Sequence, residues 1–171
     1  MRDAAARRER LNFLIRENYA RPRRQQLLDL LHEAGLGNDD FALVVPPDSD
    51  RLWRAMLEGY RALCKSGELW SSGPQDLNAA LTLLADLATD TDGPWALMLL
   101  TDESIGALEF ATFPPTTVFL TLCAFDREAL WVTRNNSFFA LFDLRWEGNY
   151  DPATVICEIE TSVNMVLAKH A

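Results

Sequence analysis

The block from Trp95 to Trp146 constrains the fold more than any other part of this sequence. It holds five apolar runs of strand length: WALMLL (Trp95–Leu100), IGALEFAT (Ile105–Thr112), TVFLTLCAF (Thr117–Phe125), ALWVT (Ala129–Thr133) and SFFALFDLRW (Ser137–Trp146). The sequences between the runs are too short for crossover helices. The block therefore predicts an antiparallel up-and-down sheet.

Helical patterns flank this block on both sides. Apolar residues recur at three-and-four spacing, and prolines and glycines stand where helices commonly begin and end. The last of these segments opens with Asp151-Pro152, a typical helix start. The predicted helices cover 3–19, 22–35, 50–67, 74–88 and 151–169, and a short strand is predicted at 41–45.

These elements predict one α+β domain spanning residues 1–171. A helical N-terminal half, which includes a basic segment at 1–24, packs on a mainly antiparallel sheet of five or six strands. The sheet covers 95–146, and the helix at 151–169 closes the fold. Because the strands are apolar on both faces, we expect either helices on both faces or a partner, or a second copy, on one of them.

Composition favours a cytoplasmic protein. No apolar run approaches the roughly 20 residues that a membrane-spanning helix needs, and the start MRDAAARRER lacks the apolar segment of a secretory signal. The three cysteines Cys64, Cys123 and Cys157 are odd in number and have no metal-binding spacing. Each occupies an apolar position, so we expect small buried hydrophobic residues rather than disulfides.

Charge is distributed unevenly along the chain. Residues 1–24 hold eight arginines against three acidic residues, a net charge of +5, within a chain of net charge −9. The remainder therefore carries −14. Such a body repels nucleic acid and attracts basic surfaces, while the basic segment is able to bind phosphate or to dock on its own acidic body.

Residue types that carry chemistry are sparse. The two histidines, His32 and His170, have no cysteine or carboxylate cluster at metal-ligand spacing, which predicts no metal. Neither a phosphate-binding glycine loop nor a nucleophile elbow occurs, so no catalytic residue and no cofactor is predicted. On the predicted final helix Glu158 and Glu160 would diverge, whereas Glu109 and Asp143 could meet across the sheet. The pattern argues against an enzyme, although an unrecognised one stays open.

Acidic residues concentrate at one end of the predicted sheet. In an up-and-down sheet alternate loops emerge at the same end, which groups the loops 102–104, 126–128 and 147–151. Only Arg127 offsets the acids there, and such a concentration can steer a basic partner. The candidate partner-binding residues are Asp102, Glu103, Asp126, Glu128, Glu147 and Asp151.

The favoured hypothesis is a protein-binding module that neutralises or escorts a basic protein partner, such as a toxin or an effector. Small acidic α+β proteins without catalytic residues have the general character of bacterial toxin-immunity proteins or secretion chaperones. No motif matches a particular family, so this is an analogy of character.

Two alternatives remain open. The chain could associate with nucleic acid through its N-terminal helices, using Arg7, Arg8, Arg10, Arg23 and Arg24. It could also bind a small molecule, or be an unrecognised enzyme, with a pocket between sheet and helices lined by Trp95, Trp131 and Phe110. A homodimer is compatible with each hypothesis, and no membrane association is predicted.

Overall fold

A computed structural model describes residues 2–89, 91–100, 104–126, 129–135, 137–145 and 155–170. Within these ranges the chain forms five helices and eight strands. The elements in order are α1 (Arg2–Glu33), β1 (Ala42–Val44), α2 (Ser49–Ser66), β2 (Leu69–Ser71), β3 (Gln75–Asp76), α3 (Leu77–Ala88), β4 (Trp95–Leu99), β5 (Ala107–Phe110), α4 (Thr116–Asp126), β6 (Ala129–Arg134), β7 (Ser137–Arg145), β8 (Ile156–Ser162) and α5 (Val163–His170).

The strands form one antiparallel sheet, which confirms the predicted α+β class. Their order is β1-β5-β4-β6-β7-β8-β2, with β3 also paired to β8. The described strands number eight rather than five or six, because the run at 117–125 is not a strand, while β2, β3 and β8 are three strands that were not predicted. Each of these three is short or ambiguous in sequence and is held by its pairing partner.

Helices lie on both faces of the sheet. One face packs against side chains from α1, α3 and α4, with Leu27, Leu84 and Phe119 almost fully buried. The opposite face packs against α2, through Trp53 and Met56. β4 is buried along its whole length between β5 and β6, as its continuous apolar sequence predicts.

The prediction of a strand at Thr117–Phe125 is wrong, because this segment lies in the helix α4. Its buried residues are Val118, Phe119, Leu122 and Cys123, whereas Leu120 between them is 38% exposed. That spacing follows a helical face and not the alternation of a strand. The threonine and β-branched content of the segment favoured a strand, and burial against the sheet overrides that propensity.

The predicted helix at 151–169 is also wrong over its first part. Residues 151–154 lie outside the described residues, Ile156–Ser162 form the strand β8, and the helix α5 begins at Val163. Cys157, Ile159 and Thr161 are buried at a period of two. β8 pairs with β7 on one side and with β2 and β3 on the other, and these contacts stabilise a strand over the helix-like spacing.

The two predicted N-terminal helices are one continuous helix, α1, with Pro22 inside it. Proline removes one backbone donor, which is why its position suggested a break. Two features hold the helix together across the proline: the buried face continues from Ala20 to Leu27 and Leu31, and Glu17 pairs with Arg24.

Smaller predictions agree more closely with the structure. The strand expected at 41–45 and the helix expected at 50–67 are present as β1 and α2. Gly67 ends α2 in the left-handed conformation (φ +74°), and its N–H donates to the Leu63 carbonyl oxygen. The helix predicted from Pro74 begins at Leu77, where the Asp76 carboxylate accepts a hydrogen bond from the Ala79 N–H at 2.9 Å. β2 lies between these two helices, where no strand was predicted.

Candidate partner-binding end of the sheet

Most of the predicted acidic rim lies outside the residues that the structure describes. Asp126 is the last residue of α4, but its side chain is outside the described part of the chain. The positions of the six carboxylates therefore stay a prediction. The other five residues, all outside the described ranges, are Asp102, Glu103, Glu128, Glu147 and Asp151.

The strand ends on either side of these acids can be located, and they meet at one end of the sheet. We call this end the rim end. The residue pairs that lie there are Leu99 with Leu130, Met98 with Ala107, Ala129 with Asp143, and Arg145 with Ile156. The β4–β5, α4–β6 and β7–β8 connections all leave from it.

Replacing a predicted strand by α4 does not change which connections leave from the rim end. β5 finishes at Phe110, which pairs with Trp95 at the far end of the sheet. β6 begins at the rim end with Ala129, so α4 spans the sheet in the direction that the predicted strand would have taken. The hairpin of 117–125 with 129–133, on which the acidic-rim hypothesis rested, is therefore not formed, because 117–125 is helical. The described strand ends next to the three connections still lie at one end of the sheet, and the positions of the acids stay a prediction.

Three further carboxylates lie on the α2 face of β7 and β8. Asp143 is paired directly with Glu158, and Glu160 lies two residues further along β8 on the same face. The Tyr60 hydroxyl donates to Glu160 Oε2 at 2.7 Å, and the Ser71 hydroxyl donates to Glu158. Burial and the bond to Glu160 raise the pKa of Tyr60, so its hydroxyl stays a donor. The prediction that Glu158 and Glu160 diverge is wrong, because they lie on a strand.

The pairing expected between Glu109 and Asp143 does not occur. Glu109 lies on β5, and β4 and β6 separate that strand from β7. Three strand spacings alone separate the two residues by roughly 14 Å. They are further apart than that, because Glu109 is level with Thr133 of β6 and Asp143 is level with Ala129. The acids of β7 and β8 are thus a group distinct from Glu109.

A buried arginine joins α1 to the rim end. Arg24 is 8% exposed and donates through Nε to the Ile105 carbonyl oxygen at 2.9 Å, and through Nη2 to the Ser104 carbonyl oxygen. Its guanidinium also binds both oxygens of Glu17, at 2.8 and 2.9 Å. The hydrogen bond and charge of Arg24 hold the pKa of Glu17 below its ordinary value. We call these contacts of Arg24 with Ser104, Ile105 and Glu17 the clamp.

On the N-terminal side of the clamp, α1 extends past the rim end of the body. Arg16 Nη2 lies 3.2 Å from Asp50 Oδ1 in the first turn of α2. Every residue from 6 to 15 is exposed. We call residues 6–19 the α1 arm. Leu11, Leu14 and Ile15, which form a narrow apolar stripe in the sequence of this segment, are 49–59% exposed.

The five arginines of the nucleic-acid alternative occupy different environments. Arg24 is committed to the clamp, and Arg23 stacks over the Phe125 ring at 5.1 Å from its centroid. Arg7, Arg8 and Arg10 lie on the exposed arm. The five therefore do not form one continuous basic face.

The histidine and cysteine side chains offer little chemistry. His32 Nε2 lies 2.9 Å from Asn38 Oδ1, and the described residues contain no His, Cys, Asp or Glu group that could hold a metal ion. Cys123 and Cys157 are buried as predicted, and burial raises the pKa of Cys157 to about 12. The prediction for Cys64 is wrong, since it is exposed on α2.

The larger hollows in the described part of the chain are open to the surface, whereas the void lined by Leu27, Leu97 and Leu122 has a volume of only about 10 Å³. The hollow between β2, α3 and α5 has a volume of about 420 Å³ and is lined by Trp70, Leu83 and Val166. Of the aromatic residues proposed to line a pocket, Trp95 and Trp131 are buried in the two cores, and Phe110 borders hollows of about 330 and 290 Å³. The pocket expected from Trp95 and Trp131 is therefore filled by packing.

Comparison with known proteins assigns no family. No protein-family model, no curated protein and no solved structure matches the chain. Among the described residues no helix has both the length and the apolar character needed to cross a membrane.

Proposed function

We propose that this protein is a cytoplasmic binding module, without catalytic activity of its own, that neutralises or escorts a basic protein partner. Its character is that of a toxin-immunity protein or a secretion chaperone. The observation that carries the proposal is the convergence of three acid-bearing connections on the rim end of the sheet. An acidic surface of this kind accelerates and orients the approach of a basic protein.

The three acids on the α2 face of β7 and β8 support the same proposal. Asp143, Glu158 and Glu160 are half-buried on the α2 face of β7 and β8, where they add negative charge near the rim end. The clamp from Arg24 to the Ser104 and Ile105 carbonyls holds the chain just before β5 in place. Because these two residues are already held in place, they would lose less conformational entropy when a partner binds beside them.

The charge supports a basic protein as the partner, and the cysteine content supports a cytoplasmic location. Outside residues 1–24 the chain has a net charge of −14, which disfavours nucleic acid and favours a cationic protein. Cys123 and Cys157 are buried free thiols, which suits a reducing compartment such as the cytoplasm.

Affinity capture tests the proposal. The tagged full-length chain is used to capture partners from native lysate, alongside a rim variant with Asp102, Glu103, Asp126, Glu128, Glu147 and Asp151 changed to their amides. A control variant carries the same net change on exposed acids elsewhere: Asp29, Glu33, Glu58, Glu68, Asp86 and Asp92.

We expect the wild type and the control variant to capture a basic polypeptide in stoichiometric amount, and the rim variant to lose it. Raising the salt concentration should release the partner, because the attraction between exposed charges is screened. Capture of nothing, of nucleic acid, or of the same polypeptide by the rim variant would refute the proposal.

A further inference from the structure

The α1 arm carries an apolar stripe on the side of the helix that faces away from the body. Leu11, Leu14, Ile15 and Tyr19 follow the spacing of one helical face and are 57%, 49%, 59% and 66% exposed. The face that the rest of α1 buries, with Ala20, Arg24, Leu27 and Leu31, lies on the opposite side of the helix. We call the four exposed residues the arm stripe. Phe13, which is 42% exposed, lies on the other side of the arm, but the four residues of the arm stripe adjoin one another along one face, as in a docking surface.

A complementary groove runs along the edge strand β1. Two adjoining hollows, of about 330 and 440 Å³, share Glu109 and follow this strand. Their apolar lining includes Ala42, Val44 and Leu52, and their acidic lining includes Asp39, Asp48 and Glu109. We call this the edge groove; Arg51 also borders it.

We propose that the arm stripe docks in the edge groove of a second copy of the chain, so that two copies exchange arms reciprocally. Charge complementarity favours this occupant. The α1 arm contains four arginines and two glutamates, a net charge of +2, whereas the edge groove is lined by the four acids Asp39, Asp40, Asp48 and Glu109 and by Arg51. An apolar stripe flanked by arginines therefore meets an apolar floor flanked by carboxylates.

The arm and the groove lie next to each other on one chain. Arg16 of the arm pairs with Asp50, and Asp48 and Arg51 of the groove flank that residue in sequence. A two-fold axis near Asp50 would carry each arm over the partner's groove. Such an exchange closes a dimer and leaves no free docking site.

Two other occupants fit less well. Pairing of two arm stripes with each other would bring Arg7, Arg8 and Arg10 of both copies together, and like charges repel. An anionic membrane would attract the arm but repel the acidic body. The arm spans about 21 Å at 1.5 Å per residue, long enough to follow a groove of several residues.

Sedimentation equilibrium of three full-length variants tests the proposal. The arm variant is Leu14→Asp with Ile15→Asp, and the groove variant is Asp39→Lys with Glu109→Lys. The control is Leu167→Asp, which makes the same type of change at a residue 60% exposed on α5. A conservative groove variant, Asp39→Asn with Glu109→Gln, covers the case in which the lysine variant fails to fold, as judged by circular dichroism.

We expect the wild type and the control to be dimers at micromolar concentration. The arm and groove variants should each raise the dimer dissociation constant at least about tenfold. The conservative groove variant should raise it by a smaller factor. Mixing the arm and groove variants should restore part of the dimer, because one intact arm then meets one intact groove.

Four results would overturn the proposal. A monomeric wild type would exclude the dimer altogether. An arm variant that stays dimeric would exclude the arm stripe, and groove variants that stay dimeric would indicate pairing between arms. Binding of the wild type to vesicles containing anionic phospholipid, with no dimer, would assign the arm to a membrane. None of these measurements involves the basic partner. A result that overturns the dimer proposal therefore does not bear on the proposed function.

Discussion

At the scale of single residues, Arg24 has the largest structural role of the N-terminal arginines. It is buried, and it satisfies two carbonyl oxygens and one carboxylate. From the sequence it could not be told apart from Arg23 or Arg8, because burial of an arginine depends on what folds against it. The only local signal was Glu17, two helical turns before it.

Replacing Arg24 by methionine should destabilise the fold by about 2–4 kcal/mol, because the carbonyls of Ser104 and Ile105 lose their donor and Glu17 loses its charge partner. Arg8→Met, at an exposed position of the arm, should change the free energy of unfolding by less than about 0.5 kcal/mol. Chemical denaturation of both variants measures the difference. Equal effects would mean that the clamp contributes nothing to stability.

The Glu17 pair also predicts a pH dependence. The folded state holds the pKa of Glu17 below its ordinary value of 4.5, so the pair stabilises the fold above that pH. The stabilisation is lost as the pH falls through the lower, folded-state pKa. Glu17→Gln should therefore be less stable than the wild type at pH 7, and the difference should shrink below pH 4.5. Denaturation at several pH values checks this, and a difference that grows in acid would contradict it.

At the scale of elements, the sequence predicted α2 and α3 well because amphipathic spacing and turn residues agree there. It failed at α4 and β8, where two periodicities fit the same residues. Val155 and Ile159 suit a helical face as well as a strand, and only pairing with β7 and β2 decides between them. That information is not local, so the sequence of β8 alone could not supply it.

Two leucines of α4 separate the helical from the strand interpretation. Leu120→Ala should cost less than about 1 kcal/mol, because Leu120 is 38% exposed, whereas Leu122→Ala should cost about 2–5 kcal/mol, because Leu122 is 1% exposed. In a strand both side chains would lie on one face and respond alike. Equal losses in thermal or chemical unfolding would therefore argue against the helix.

At the scale of the whole molecule, the rim end brings together features that are far apart in sequence. The connections after β4, α4 and β7 leave from it, and α1 passes it at Arg24. The prediction of an acidic rim used a topology that was wrong in one element. The grouping of the connections persists because α4 crosses the sheet in the same direction as the predicted strand. Charge and chain direction were readable from sequence, while the projecting arm and the edge groove were not.

The most direct measurement is the dissociation constant of the captured basic partner for the purified wild type, the six-acid rim variant and the six-acid control variant, by calorimetry at low and high salt. We predict that the rim variant binds at least about a hundredfold more weakly at low salt, close to 3 kcal/mol, and that the control loses much less. High salt should reduce the difference. Equal affinity of the rim variant and the control would contradict the assignment of the rim end as the binding site.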